Sequence, residues 1–397
     1  MKTMKKPIYL DYAATTPVDE RVLSAMLPYF REKFANSVSL HQPGQEVAEA
    51  VDQARRSLAS LLGAKEQEII FTSSATESNN LALKGLAWAN PDKNHLLVSS
   101  IEHDCVLNSA GWLSGQGYEV EKIPVDETGL VDPGQVAKMI RPKTLLVSVI
   151  HASNEVGTIE PIEEIGRVCQ EKRVLFHTDA AQTFGKLPID VNKMNIDLLT
   201  ASSHKIYGPK GAALLYLRSG VKITPLLHGG GHERTLRSST VNVPALVGFA
   251  RAAEIAHQEM ATENERLTAL RDRIIKIVLE TIPKADLNGH PKMRLANNIN
   301  LRFAGIEGEA ILMKLDAKGI AVSTGSACAS VGISGQLGSF ADMAPSHVLL
   351  ALGLTHEQAH GSIRISLGRP TTEEEIDYLL TVLPGVVADL RRLSPLS

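Results

Sequence analysis

Cysteine is scarce in this chain. Cys105, Cys169 and Cys328 are the three among 397 residues, and their wide spacing offers neither a disulfide framework nor a metal knuckle. Such usage leads us to expect a reducing compartment, the cytoplasm. Charge of one sign is lacking too: the net charge is −3 and no block of like charge occurs, which sets nucleic acid aside as a direct partner. No uninterrupted apolar run approaches the roughly 20 residues of a membrane span. The basic stretch Met1 to Lys6 runs into Pro7 without an apolar segment, so it does not make a signal peptide. Internal repeats and low-complexity tracts are missing as well.

What is present is length enough for two domains, and an alternation of apolar strands with helical periodicity. Ile196 to Thr200 and Ala212 to Leu217 read as buried strands, and Lys205 lies in the Gly/Pro-punctuated loop between them. An ammonium is costly there, and the cost falls if the amine is neutral or bound covalently to a carbonyl cofactor. A lysine alone is more often a solvated surface residue, so other features carry weight. Val174 to Asp179 is an apolar run closed by an acid. Glu68 to Ser78 passes from a strand into small and hydroxylated residues, where Ser74-x-x-Glu77 fits a capping box that opens a helix. A helix N-terminus holds phosphate well. A phosphate cradle, a carboxylate for a ring nitrogen and an amine for an aldehyde are what pyridoxal phosphate requires.

Along the chain, Ile8 to Ala13 reads as a strand, Arg21 to Phe34 as helical, and Gln45 to Leu62 as an amphipathic helix. The strand His95 to Ile101 leads to His103, and Leu145 to Ile150 leads to Asn154, both polar ends that face the crevice of a parallel sheet. Cys105 and Cys169 read as packing residues. His228 and His232 have a zinc-like spacing, but Gly229 to Gly231 between them disfavour the helix it needs. Val243 to Lys276 is long helical sequence, and from about Glu263 the pattern turns to α+β. We therefore expect an α/β large domain over 14–262 with a mostly parallel sheet, and a smaller α+β domain from 1–13 and 263–397 that carries the Cys328 loop. Arg364 sits mid-strand, suited to a carboxylate.

The motifs Ser73 to Ser78, His103, Asn154 to Gly157, Asp179 to Gln182, Ser202 to Lys205, His228 to Arg234 and Ser323 to Ser330 together resemble those of the NifS/IscS-type cysteine desulfurases, a branch of the class V aminotransferases. The resemblance runs from about Pro7 to Pro395 and implies the pyridoxal-phosphate fold type I, aspartate-aminotransferase-like, with a seven-stranded-type sheet. It implies that Lys205 holds pyridoxal 5'-phosphate, that Asp179 pairs with the ring nitrogen, and that Gln182 and Asn154 reach the ring oxygen. His103 then stacks on the ring and moves protons. Ala75, Thr76, Ser202 and His204 hold the phosphate, with Thr240 from a second subunit, which makes a homodimer. Arg364 and Asn154 take the carboxylate of L-cysteine. Cys328 becomes the sulfur-accepting nucleophile that serves an acceptor or iron–sulfur scaffold protein, with no resident metal and at most a transient contact of Cys328 with a cluster.

Two positions and one loop length depart from the familiar pattern: Ser37 replaces a proline, Ala344 replaces a glutamate, and the stretch 329–344 is longer. Rival readings on the same scaffold are a selenocysteine lyase or another class V aminotransferase. A catalytically silent docking subunit is the rival from outside enzymology.

Overall fold

The computed structural model describes residues 7–324 and 345–394. Its centre is a seven-stranded sheet ordered Ile69–Thr72, Ala213–Leu217, Leu198–Ser202, Leu175–Asp179, Thr144–Ser148, His95–Ser99 and Glu119–Ile123. All neighbouring pairs are parallel except the two made by Ala213–Leu217. Most of these strands are buried at every position, because helices cover both faces and leave no polar side. Leu97, Val147 and Phe176 enter one core, while Leu96, Val98 and Leu146 enter the core on the opposite face. The edge strand Glu119–Ile123 keeps charged residues, which discourage pairing with another chain.

The long helical sequence expected over Val243 to Lys276 forms one unbroken helix of 39 residues, Val243–Thr281. Its first part buries Leu246, Phe249 and Ala253 in the core beneath the large sheet. Its later part buries Leu267, Ile274 and Val278 in a separate core. The boundary expected near residue 263 falls inside this helix, between those two parts. The second core is built on a three-stranded antiparallel sheet, Ser362–Ser366, Asn298–Phe303 and Ala285–Leu287, backed by the helix Glu373–Leu393.

The expected strand Ile8 to Ala13 shortens to Ile8–Tyr9, which runs parallel to Ile320–Ala321 and sends Ile8 and Leu10 into this second core. The helix expected over 21–34 is cut in two, Glu20–Met26 and Pro28–Arg31, because Pro28 opens a new first turn. Among the described residues, no helix is long and apolar enough to cross a membrane.

Candidate active site

Four strands of the parallel sheet end at one crevice, as an open α/β sheet dictates. There the chain leaves a cavity of about 290 Å³. Lys205, Asp179, Gln182 and His204 line it from the strands that end at Ser202 and Asp179. His103 and Asn154 come from the loops after His95–Ser99 and Thr144–Ser148, Ala75 and Thr76 from the helix after Ile69–Thr72, and Arg364 from the smaller sheet. Ser202 is buried and is not among the lining residues, and Thr240 is exposed away from the cavity. Cys328 lies outside the described residues. A second cavity of about 190 Å³ also touches Lys205 but includes none of the other expected site residues.

A single turn of 3-10 helix, Ser203–Lys205, delivers the lysine, whose Nζ donates to Ala13 O at 2.6 Å and Ala14 O at 2.7 Å. Asp179 is 4% exposed; its Oδ2 accepts from Asn79 Nδ2 at 2.6 Å and its Oδ1 from Ala181 N at 2.9 Å. No cationic side chain among the described residues pairs with it, so two N–H donors hold this buried carboxylate. The adjacent Glu102 is fully buried, and burial, aided by the charge of Asp179, pushes its carboxyl up to about 8. Glu102 therefore stays protonated near neutrality and spares Asp179 a second negative charge. Burial, with Lys205 nearby, pushes His204 down to about 4, which leaves its ring neutral.

The expected capping box forms by half. Ser74 accepts from Glu77 N at 3.1 Å and caps Ala75–Asn80. Glu77 itself accepts from Ser73 N and Arg237 Nε, both at 2.8 Å. The helical run continues through a π-helical segment, Leu81–Gly85, to Ala89. His103 caps the helix Asp104–Ser114, its Nδ1 accepting from Cys105 N at 3.2 Å. Arg364 is 2% exposed, donates to Asn154 O at 3.0 Å and pairs with Asp11 at 2.8 Å.

Four residues at or beside the site escaped the sequence reading: Asp11, Asn79, Glu102 and His347. Asn79 lies in a stretch that reads as ordinary helix. His347 lines the cavity and donates through Nε2 to Glu102 O at 2.9 Å. Cys105, two positions after His103, packs in a core cluster as read from the sequence, and it also borders the cavity and touches His103.

Residues 8–379 match the family model for class-V aminotransferases, and the chain belongs to that family. Over 398 residues it is 50% identical to the cysteine desulfurase IscS of Methanosarcina thermophila, covering 100% of this chain and 96% of that protein. A solved structure described as a NifS-like protein superposes with a TM-score of 0.89 at 38% identity, covering 97% of this chain and 100% of its own. A second, described as SspA in complex with cysteine, gives 0.79 at 40% identity over 91% of this chain and 98% of its own.

Proposed function

We infer that the chain is a cysteine desulfurase, converting L-cysteine to L-alanine and passing the sulfur, through a persulfide on Cys328, to an acceptor protein of iron–sulfur cluster assembly or other sulfur-containing products. The observation that carries this reading is the meeting of Lys205, Asp179, His103 and Arg364 at one cavity, in a chain half identical to a cysteine desulfurase. Pyridoxal phosphate fits the residues present. A buried carboxylate with N–H donors and no cationic partner among the described residues suits a protonated ring nitrogen, and the helix starting at Ala75 suits a phosphate. Lys205, Asp179, Gln182, Ala75, Thr76, Ser202 and His204 would hold it, with Thr240 of a second subunit.

When bound, that cofactor draws electron density from the substrate α-carbon. Lys205 moves the α-proton, and Arg364 with Asn154 orients the substrate carboxylate. His103 handles the thiol proton while the Cys328 thiolate attacks the substrate sulfur. Support for Cys328 comes from the described residues on either side of its segment. Ser323 N donates to Arg364 O at 3.0 Å, and His347 lines the cavity. A homodimer is supported by an exposed apolar run, with Phe30, Phe34, Val38 and Leu40 at 57%, 76%, 60% and 90%.

Borohydride reduction of the holoenzyme followed by peptide mapping tests the core of this reading, with the label expected on Lys205. A label elsewhere, or none, would falsify it. Lys205→Ala is expected to lower alanine formation roughly a hundred- to ten-thousandfold. Full cysteine-dependent sulfide release by Cys328→Ala would remove the nucleophile assignment. Keto-acid exchange, or a preference for selenocysteine, would favour the rival enzymes.

A further inference from the structure

We propose that Asn79 and Cys105 are positioning residues that tie the Asp179 carboxylate to the His103 imidazole and fix that ring with its proton on Nε2. The proposal rests on the active-site reading above. Asn79 is fully buried, and its single amide nitrogen reaches Asp179 Oδ2 at 2.6 Å and Cys105 Sγ at 3.1 Å. The reverse amide orientation would set Oδ1 against the carboxylate oxygen, so Asp179 decides which way the amide points. The cost is visible: Asn79 Oδ1 is buried with no hydrogen-bond partner among the described residues.

From there the donors run in one direction. The sulfur accepts from Asn79, and Cys105 Sγ lies 3.1 Å from His103 Nδ1. The same Nδ1 already accepts from the backbone N–H of Cys105 at 3.2 Å. A ring nitrogen that accepts an N–H carries a lone pair, so the thiol is the donor in the third contact and the neutral ring keeps its proton on Nε2. His103 thus meets the site first as a hydrogen-bond donor through Nε2. Protonation of the ring at Nδ1 would set it against the Cys105 N–H of the cap and force the thiol to turn from donor to acceptor. An inert packing thiol would require none of this alignment.

Among the described residues, the charged and titratable groups around His103 are Cys105, Glu102 and Asp104 near it in sequence, and Glu155, Asp179, Lys205, His204, His347 and Arg364 across the cavity. Of these, only Cys105 is altered by the variants below. Losing the thiol donor destabilises the neutral ring, so the His103 titration should rise in Cys105→Ala by roughly a third of a unit to one unit, the span of one neutral hydrogen bond. Cys105→Ser retains a donor and should return it toward the native value. Asn79→Ala should move it the same way by less, because the amide polarises the S–H.

The measurement is the ¹⁵N spectrum of histidine-labelled holoenzyme across pH, with His103→Gln to assign the ring, alongside the acid limb of the rate profile. A native ring protonated on Nδ1 overturns the proposal. So does a titration in Cys105→Ala and Asn79→Ala that superposes on the native one. If native holoenzyme forms no alanine from cysteine, the proposed activity fails instead, and the ring spectrum still decides the tautomer.

Discussion

Arg364 shows how one side chain acquires meaning from a partner that sequence spacing cannot reveal. Its guanidinium pairs with Asp11, 353 positions away in the chain, and donates to Asn154 O, so the fork is aligned before any substrate arrives. Lysine would keep the charge and lose the planar fork. Arg364→Lys is therefore expected to raise the KM for cysteine about tenfold, equivalent to about 1.4 kcal/mol, with a smaller change in kcat. Steady-state kinetics that leave KM untouched would move the carboxylate elsewhere. Candidates such as Lys205, Asp179 and His103 were legible because each follows an apolar strand. Asp11 was not, since nothing in its neighbourhood announces an arginine from the other end of the chain.

The loop that follows Thr144–Ser148 carries Asn154 and turns back at Gly157, whose φ is +77°. A methyl group there would meet Asn298 Oδ1 at 2.7 Å, and Asn298 also reaches Asn154 O at 3.4 Å. Gly157→Ala combines left-handed strain with a clash against the neighbouring strand. It is expected to cost about 1–3 kcal/mol, read as a lower melting temperature, and to weaken substrate binding through displacement of Asn154. A variant as stable as the native protein would show that the loop relaxes freely. Strands and their order of appearance were legible as apolar runs, and Pro28 was the one breaker whose effect on a helix the periodicity concealed.

Two buried carboxyls shape the behaviour of the folded molecule. Burial pushes Glu102 and Glu160 from an ordinary 4.5 up to about 8. Each binds its proton more tightly folded than unfolded, so its contribution is present at low pH and is lost as pH rises through about 8. Glu102→Gln mimics the protonated form, and its melting temperature should decline less between about pH 5 and about pH 8 than that of the native protein. An equal decline across that window would mean that Glu102 is not a source of the loss. At the same scale, charging the exposed apolar run with Phe34→Asp and Leu40→Asp should yield a monomer in sedimentation velocity. If Thr240 serves the neighbouring site, that monomer will also retain cofactor poorly. An intact dimer in the double variant would place the interface elsewhere.

By itself the sequence determined the local periods, the strand-end positions of the lysine, the acid and the histidine, and the order of motifs by which the family was recognised. These are properties of neighbours along the chain, set by apolar spacing, capping and turn residues. Tertiary structure alone decided which distant groups share a hydrogen bond. Asn79 meets Asp179 across 100 positions and Asp11 meets Arg364 across 353, because sheet order and the docking of the second core, not sequence distance, set who is near whom. It alone also gave Glu102 its raised pKa, since desolvation depends on what packs around a carboxyl rather than on which residues precede it.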